Sequence, residues 1–227
     1  MRNLDRTIMR NQHGAFIVVR ADHFDEGIEY AHQNKVPQIQ LKKATKDAPR
    51  DLQINFKKLE MLSAHLRVIS LQDTLENVVN SESIYALVNL ETMYASEKQK
   101  FTLDISNFAN LQHFGGIYGK KLLNIDKAYS LKSTVLRSLP DTDMQRVSEL
   151  KNLEILHVYS SKIQSLNGIQ NLPIKRLSLA RNSVLEDIDA IRCLNALELL
   201  NVEKCKKIMK HELLEELKGR VELSIIP

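Results

Sequence analysis

Leu153-Glu-Ile-Leu156-His-Val158, Ile174-Lys-Arg-Leu177-Ser-Leu179 and Leu197-Glu-Leu-Leu200-Asn-Val202 are three copies of one pattern, L-x-x-L-x-L with conservative aliphatic substitution. Their central apolar residues, Leu156, Leu177 and Leu200, recur at a nearly constant step. Self-similarity at such a period marks an architecture of stacked repeats. With this register fixed, weaker copies line up upstream at Leu131-Lys-Ser-Thr134-Val-Leu136, Leu111-Gln-His-Phe114-Gly-Gly116, Leu90-Glu-Thr-Met93-Tyr-Ala95 and Leu66-Arg-Val-Ile69-Ser-Leu71. Downstream, Val221-Glu-Leu223-Ser-Ile225 closes the series. Short alternating stretches at Ile17-Val-Val19, Ile39-Gln-Leu41 and Ile54-Asn-Phe56 extend it towards the N-terminus, although the steps from Ile39 to Ile54 and from Ile54 to Ile69 are shorter than a usual repeat.

Between these strands the apolar period changes. Ile163, Leu166, Ile169 and Leu172 recur every third residue, as do Leu185, Ile188, Ile191, Leu194 and Leu197. A period of three is not a strand's and drifts around an α-helix, but it fits short 3₁₀ turns, in which residues i and i+3 eclipse. The connections at the two ends read as more helical. Asp22 is placed as an N-cap type residue ahead of first-turn acids in a segment running through Ile28 and Ala31 until Pro37. Met209 to Lys218, with Leu213, Leu214 and Leu217, is amphipathic and is followed by Gly219 as its stop.

These residues resemble the leucine-rich repeat family, in particular the short repeats of bacterial internalin-like proteins. Asn182, in Leu177-Ser-Leu-Ala-Arg-Asn182, stands where that family's asparagine ladder begins, and Cys205 takes the permitted cysteine alternative; Ser161 departs from the pattern. The resemblance covers Leu150 to Ile208 most clearly and reaches back to Leu66. It implies an α/β leucine-rich repeat solenoid with a parallel β-sheet on the concave face and short helical or 3₁₀ turns on the convex one. One repeat cannot bury its own apolar faces, so neighbours must stack and terminal repeats must be capped. The expectation is one domain over 1–227 of about ten or eleven turns, with irregular N-terminal repeats and cap over 1–65, core repeats over 66–208 and a C-terminal cap over 209–227.

The composition agrees with such a core. Of 227 residues, 43% are hydrophobic but only 5% aromatic, with no Trp, so the interior must be aliphatic; 7 Gly and 5 Pro exclude a collagen-like chain. Lys and Arg number 32 against 28 Asp and Glu, and a net charge of +4 is too thin to indicate nucleic acid. The segment Met1–Arg10 lacks an export-signal core, and no apolar run reaches the ~20 residues of a membrane span. Two cysteines, Cys193 and Cys205, make no disulfide framework, and together these readings predict a reduced, cytoplasmic protein.

No catalytic group, metal site or cofactor is expected. His13, His23, His32, His65, His113, His157 and His211 show no metal-ligand spacing. Gly115-Gly-Ile-Tyr-Gly-Lys-Lys121 lacks the phosphate-loop spacing, and its glycines fall on a repeat strand and the turn after it. Asp141-Thr-Asp143 could offer two carboxylates to a cation, but an exposed turn after Pro140 explains it more commonly. Cys193 reads as a small core residue, and Lys204, Lys206, Lys207 and Lys210 with Glu203, Glu212, Glu215 and Glu216 as a solvated mixed-charge face.

What remains is the concave face, where residues alternating with the core positions line up between strands. Its central column reads Gln40, Asn55, Ser70, Tyr94, Gly115, Val135, His157, Ser178, Asn201 and Ser224. The candidate partner-binding residues are Tyr94, His113, Ile117, Arg137, His157, Tyr159, Arg176, Asn201 and Glu203, because Tyr and Arg dominate interface hot spots and an exposed Ile beside them is unusual. The reading is a non-enzymatic protein–protein interaction module, with an inhibitor or immunity-type role as one compatible use by analogy. Two alternatives stay open: nucleic-acid binding through a stripe of Lys42, Lys57, Arg137 and Arg176, and an enzyme with its site at Gly115–Lys121.

Overall fold

The computed structural model describes residues 8–11, 14–208 and 211–227. Residues 1–7 of the N-terminal segment, His13, and Met209 and Lys210 of the C-terminal helical reading lie outside the described residues. The chain divides into two compact units, one of residues 1–111 with 121–123, the other of 112–120 with 124–227.

In the first unit, Gly14–Arg20, Gln38–Lys42, Val68–Leu71 and Thr92–Ala95 pair in parallel, with Ile17, Ile39, Ile69 and Met93 in one column. Met9–Asn11 runs antiparallel along the outer side of Gly14–Arg20. Ile39 and Ile69 are therefore direct neighbours in the sheet, one long repeat apart, and the expected strand at Ile54-Asn-Phe56 is not part of this sheet. Ile54–Asn55 instead pairs with Val78–Val79 in a separate two-stranded ladder, and Phe56 opens the 3₁₀ helix Phe56–Leu62. Phe56 is fully buried there against Phe24 and Phe101, with ring centroids 5.8 and 5.2 Å away. Asn55 caps the turn by accepting a hydrogen bond from Lys57 N, so neither residue lies in the sheet-face columns.

The α-helix Phe24–Gln33 starts one residue later than the N-cap reading of Asp22 predicts, with His23 in the N-cap position. A 3₁₀ turn, Ala21–His23, intervenes, and the Asp22 carboxylate is occupied by Thr45 Oγ1 at 2.8 Å and Arg20 Nε at 3.4 Å. In the helix, Phe24, Ile28 and Ala31 face the core.

The second unit is the more regular. His113–Ile117, Ser133–Arg137, Ile155–Tyr159, Arg176–Ala180, Leu199–Glu203 and Glu222–Ile226 pair in parallel, residue for residue. Phe114, Thr134, Leu156, Leu177, Leu200 and Leu223 form the core column as read. The i+3 residues from Ile163 to Leu172 and from Leu185 to Leu197 are all buried, and the 3₁₀ helices Gln145–Val147 and Asp189–Cys193 lie among such connections. Cys193 is exposed, contrary to the core reading, because it falls one residue before Leu194 and points off the buried stripe.

Polar groups buried beside the strands form a connected ladder. Asn182 is fully buried; its Oδ1 accepts from Ser161 N at 2.9 Å and its Nδ2 donates to Val158 O at 2.8 Å. Cys205 Sγ accepts from Asn182 N, and Ser161 Oγ accepts from Leu139 N while donating to Tyr159 O. Ser161, which departs from the family pattern by residue type, thus performs the same backbone satisfaction with a shorter side chain. The C-terminal helix is short, Glu212–Glu216, with His211 Nδ1 accepting from Leu213 N and Gly219 at φ +84 behind it. No helix of the described residues is long and apolar enough to cross a membrane.

Two substitutions test this packing. Thr134 is fully buried in the core column and its Oγ1 has no hydrogen-bond partner among the described residues. Thr134→Val removes that desolvated hydroxyl at nearly constant shape and is expected to raise unfolding stability by about 1 kcal/mol in urea denaturation; no gain would mean the hydroxyl is satisfied. Gly168 has φ +114, and a Cβ there would lie 2.5–2.6 Å from the Met144 carbonyl and Gln145 N. Gly168→Ala is therefore expected to cost more than about 2 kcal/mol in the same assay.

Candidate functional site

The sheet face of the second unit collects eight of the nine sequence-predicted residues. By register its central column reads Gly115, Val135, His157, Ser178, Asn201 and Ser224. One flank carries His113, Ser133, Ile155, Arg176, Leu199 and Glu222, and the other Ile117, Arg137, Tyr159, Ala180, Glu203 and Ile226. Tyr94, the ninth, stands in the corresponding column of the first unit, opposite Ser70.

At the centre, His157 Nδ1 and Tyr159 Oη share a hydrogen bond of 3.1 Å, with ring centroids 6.0 Å apart. The two residues point to the same face because they are two apart on one strand. Burial pushes the His157 pKa down, keeping the imidazole neutral. Burial, and secondarily the charge of Glu203, pushes the Tyr159 pKa up, so the phenol keeps its proton and can donate to the ring nitrogen. Arg137 is Tyr159's neighbour on the adjacent strand, and Arg176 is that of Ile155. Both guanidiniums are exposed, and neither has an ion-pair partner among the described residues. Asn201 Nδ2 donates to Ser178 Oγ at 3.3 Å, and Glu203 pairs with Arg181 at 3.7 Å.

A depression of about 400 Å³ opens beside this pair, floored by Val135 and Ala180 and walled by Tyr159, Arg137, Ser160, Arg181 and Glu203. Ser160 and Arg181 are the members the sequence reading does not contain. Each directly follows a strand and is left-handed, as are Ser138 and Lys204 at the same place in their repeats, with φ between 49 and 59. Since none of the four is Gly or Asn, the usual sequence signal for that conformation is missing.

The other candidates resolve differently. Gly115 and Gly116 lie within a paired strand without positive φ, so the Gly115–Lys121 stretch forms no cradle of convergent N–H groups. Tyr118 in that stretch lies under the Arg146 guanidinium, 5.0 Å from the ring centroid. Asp141 holds Arg146 through two hydrogen bonds of 3.0 and 2.6 Å, and Asp143 caps the next turn by accepting from Gln145 N. Both carboxylates of the Asp-Thr-Asp turn thus have structural partners. Lys57 pairs with Glu60 at 2.8 Å on the 3₁₀ helix, which removes it from the basic stripe. Lys207 pairs with Glu186 and Lys218 with Glu215, as a mixed-charge surface requires.

No protein-family model matches the sequence, and comparison with curated proteins gives no significant match. Solved structures do match. The fold is a leucine-rich repeat fold of the internalin-like type. An internalin (inlF) from Listeria monocytogenes matches with a TM-score of 0.52 at 14% identity over 86% of this chain and 56% of its own. Internalin C2 (inlC2) from the same organism gives 0.54 at 19% identity, covering 78% of this chain and 74% of its own. The leucine-rich repeat domain of the type III effector XopL gives 0.57 at 19% identity over 88% and 79%. The chain spans little more than half the length of the first of these, and at such identities the likeness concerns the fold.

The half-buried His157 gives the unit a pH dependence of defined sign. Below about pH 6.5, the ordinary imidazole value, the unfolded chain takes up a proton that folded His157 resists, so stability falls as pH drops. His65, whose pKa is lowered by burial and by the nearby His32, acts in the same direction. His157→Asn is expected to lose less stability than the native chain between pH 7.5 and 5.5 in parallel denaturant titrations; equal losses would refute the assignment.

Proposed function

We propose that the exposed sheet face of residues 112–120 and 124–227 docks another protein, with Tyr159 and His157 at the centre of the contact and Arg137 and Arg176 meeting acidic groups of the partner. The observation that carries this reading is the pair of unpartnered guanidiniums flanking a half-buried His–Tyr pair on a face that also presents Val135, Ile155 and Leu199. None of these side chains serves the core, which lies on the opposite side of the strands. Arginine and tyrosine over an apolar floor are the composition from which interface hot spots are built.

Binding is favoured over catalysis by the make-up of the site. The His157–Tyr159 pair has no third group orienting the imidazole among the described residues, which a base-activated nucleophile calls for. Nucleic-acid binding is disfavoured because Arg137 and Arg176 share their face with Glu203 and Glu222, and Lys57 is off it. An inhibitor or immunity-type role is one use of such a module.

The test is affinity capture from extracts of the source cells with the immobilised full chain and its Tyr159→Ala/Arg176→Ala variant. At about 2 kcal/mol for each hot-spot residue, the double variant should retain only a few per cent of a partner captured by the native chain, with an unchanged denaturation profile. Equal yields of the same partner would overturn this choice of surface.

A further inference from the structure

The first unit holds a cavity of its own. Between the strands Gln38–Lys42 and Ile54–Asn55 the chain makes a loop of residues 43–53 that is fastened at three points. Thr45 Oγ1 donates to Asp22 Oδ2 at 2.8 Å, Lys43 N to Asp73 Oδ2 at 3.0 Å, and Asn77 Nδ2 to Arg50 O at 3.1 Å. Two internal turns stiffen the loop, with Ala48 N donating to Thr45 O and Leu52 N to Pro49 O. Held in this way, it leaves a cavity of about 280 Å³ between itself and the residues it covers. The floor is Ala21, Ile54 and Leu75, all buried, and the loop side is Ala44, Ala48 and Leu52, all half-buried.

The rim of this cavity is basic. Lys43, Lys46 and Arg50 line it, all exposed, and none of the three side chains has an ion-pair partner among the described residues. Glu76 is the single acid in the lining. Asp22 and Asp73 spend carboxylate oxygens on the Thr45 hydroxyl and the Lys43 peptide N–H, and Asp47 and Asp51 belong to the loop but not to the lining. We propose that the cavity binds a small aliphatic carboxylate, with its chain against the alanine, leucine and isoleucine side chains and its charge among Lys43, Lys46 and Arg50. The lining has no aromatic ring on which a base could stack and no glycine-rich turn to cradle a phosphate, so a nucleotide is not matched. A segment of polypeptide is matched no better. It would bring peptide groups onto an apolar floor, while the Thr45 hydroxyl, the Asn77 amide and the Arg50 carbonyl are already engaged in fastening the loop. At ~30 Å³ for each non-hydrogen atom, the volume holds about nine or ten of them, which is an acid of about seven or eight carbons.

The test is a titration of the full chain with octanoate, followed by amide NMR and calorimetry. Saturable one-to-one binding is expected with a Kd of about 1 mM or below, and with shifts centred on residues 43–54 and 74–77. Hexanoate, two methylenes shorter, should bind about tenfold more weakly. Octylammonium, which has the same chain and the opposite charge, should not saturate the site. Lys46→Glu/Arg50→Glu changes two exposed positions and should raise the Kd for octanoate at least about tenfold, with an unchanged denaturation profile. The Tyr159→Ala/Arg176→Ala variant should bind octanoate as the native chain does, which separates this site from the sheet face. No saturation by about 10 mM octanoate, equal binding of octylammonium, or equal binding by the charge-reversed chain overturns the proposal. So does a peptide ending in leucine that binds more tightly than octanoate, which would assign the cavity to a chain terminus.

Discussion

The constraint on which everything else rests is strand register. Leu156, Leu177 and Leu200 must meet in one column, because each repeat's apolar face is buried only by its neighbours. A slip of one residue would turn His157, Ser178 and Asn201 into the core and expose the leucines. The same alternation that buries the aliphatic column therefore fixes, without any further interaction, which side chains share the opposite face. His157 and Tyr159 are brought within hydrogen-bonding distance by a spacing of two on one strand, and Arg137 is set beside Tyr159 by the pairing of consecutive repeat strands. The buried ladder of Ser161, Asn182 and Cys205 holds this register at the strand ends, because each side chain satisfies backbone groups of an adjacent turn.

This is why the second unit was legible in the sequence and parts of the first were not. Where strand and turn alternate as regularly as they do around Leu156, Leu177 and Leu200, period and register can be read together, and the face columns follow. Ile54-Asn-Phe56 shows the limit. Its alternation is locally a strand's, but Phe56 turns into a 3₁₀ helix where two other phenylalanines wait for it, a tertiary preference that so short a pattern does not carry. Cys193 shows a second limit. On a tight turn one residue separates the buried stripe from solvent, so proximity to the stripe in sequence is not membership of it. The Asp141-Thr-Asp143 turn shows a third, since Arg146, which occupies Asp141, lies further along the chain and reaches back across the turn.

The rim of the depression was illegible for a different reason. Ser160 and Arg181 on that rim, like Ser138 and Lys204, which do not line it, adopt a left-handed conformation directly after a strand, and their N–H groups bond to the last strand residue of the next repeat. Residues with a side chain lose roughly 1–2 kcal/mol in that conformation, which glycine would relieve. Glycine would also strip Ser160 and Arg181 from the depression and leave Glu203 without its guanidinium. The fold needs the conformation and is indifferent to the residue, whereas a binding rim needs the residue. Side chains at positions where backbone conformation alone calls for glycine are thus what puts Ser160 and Arg181 beside the sheet face.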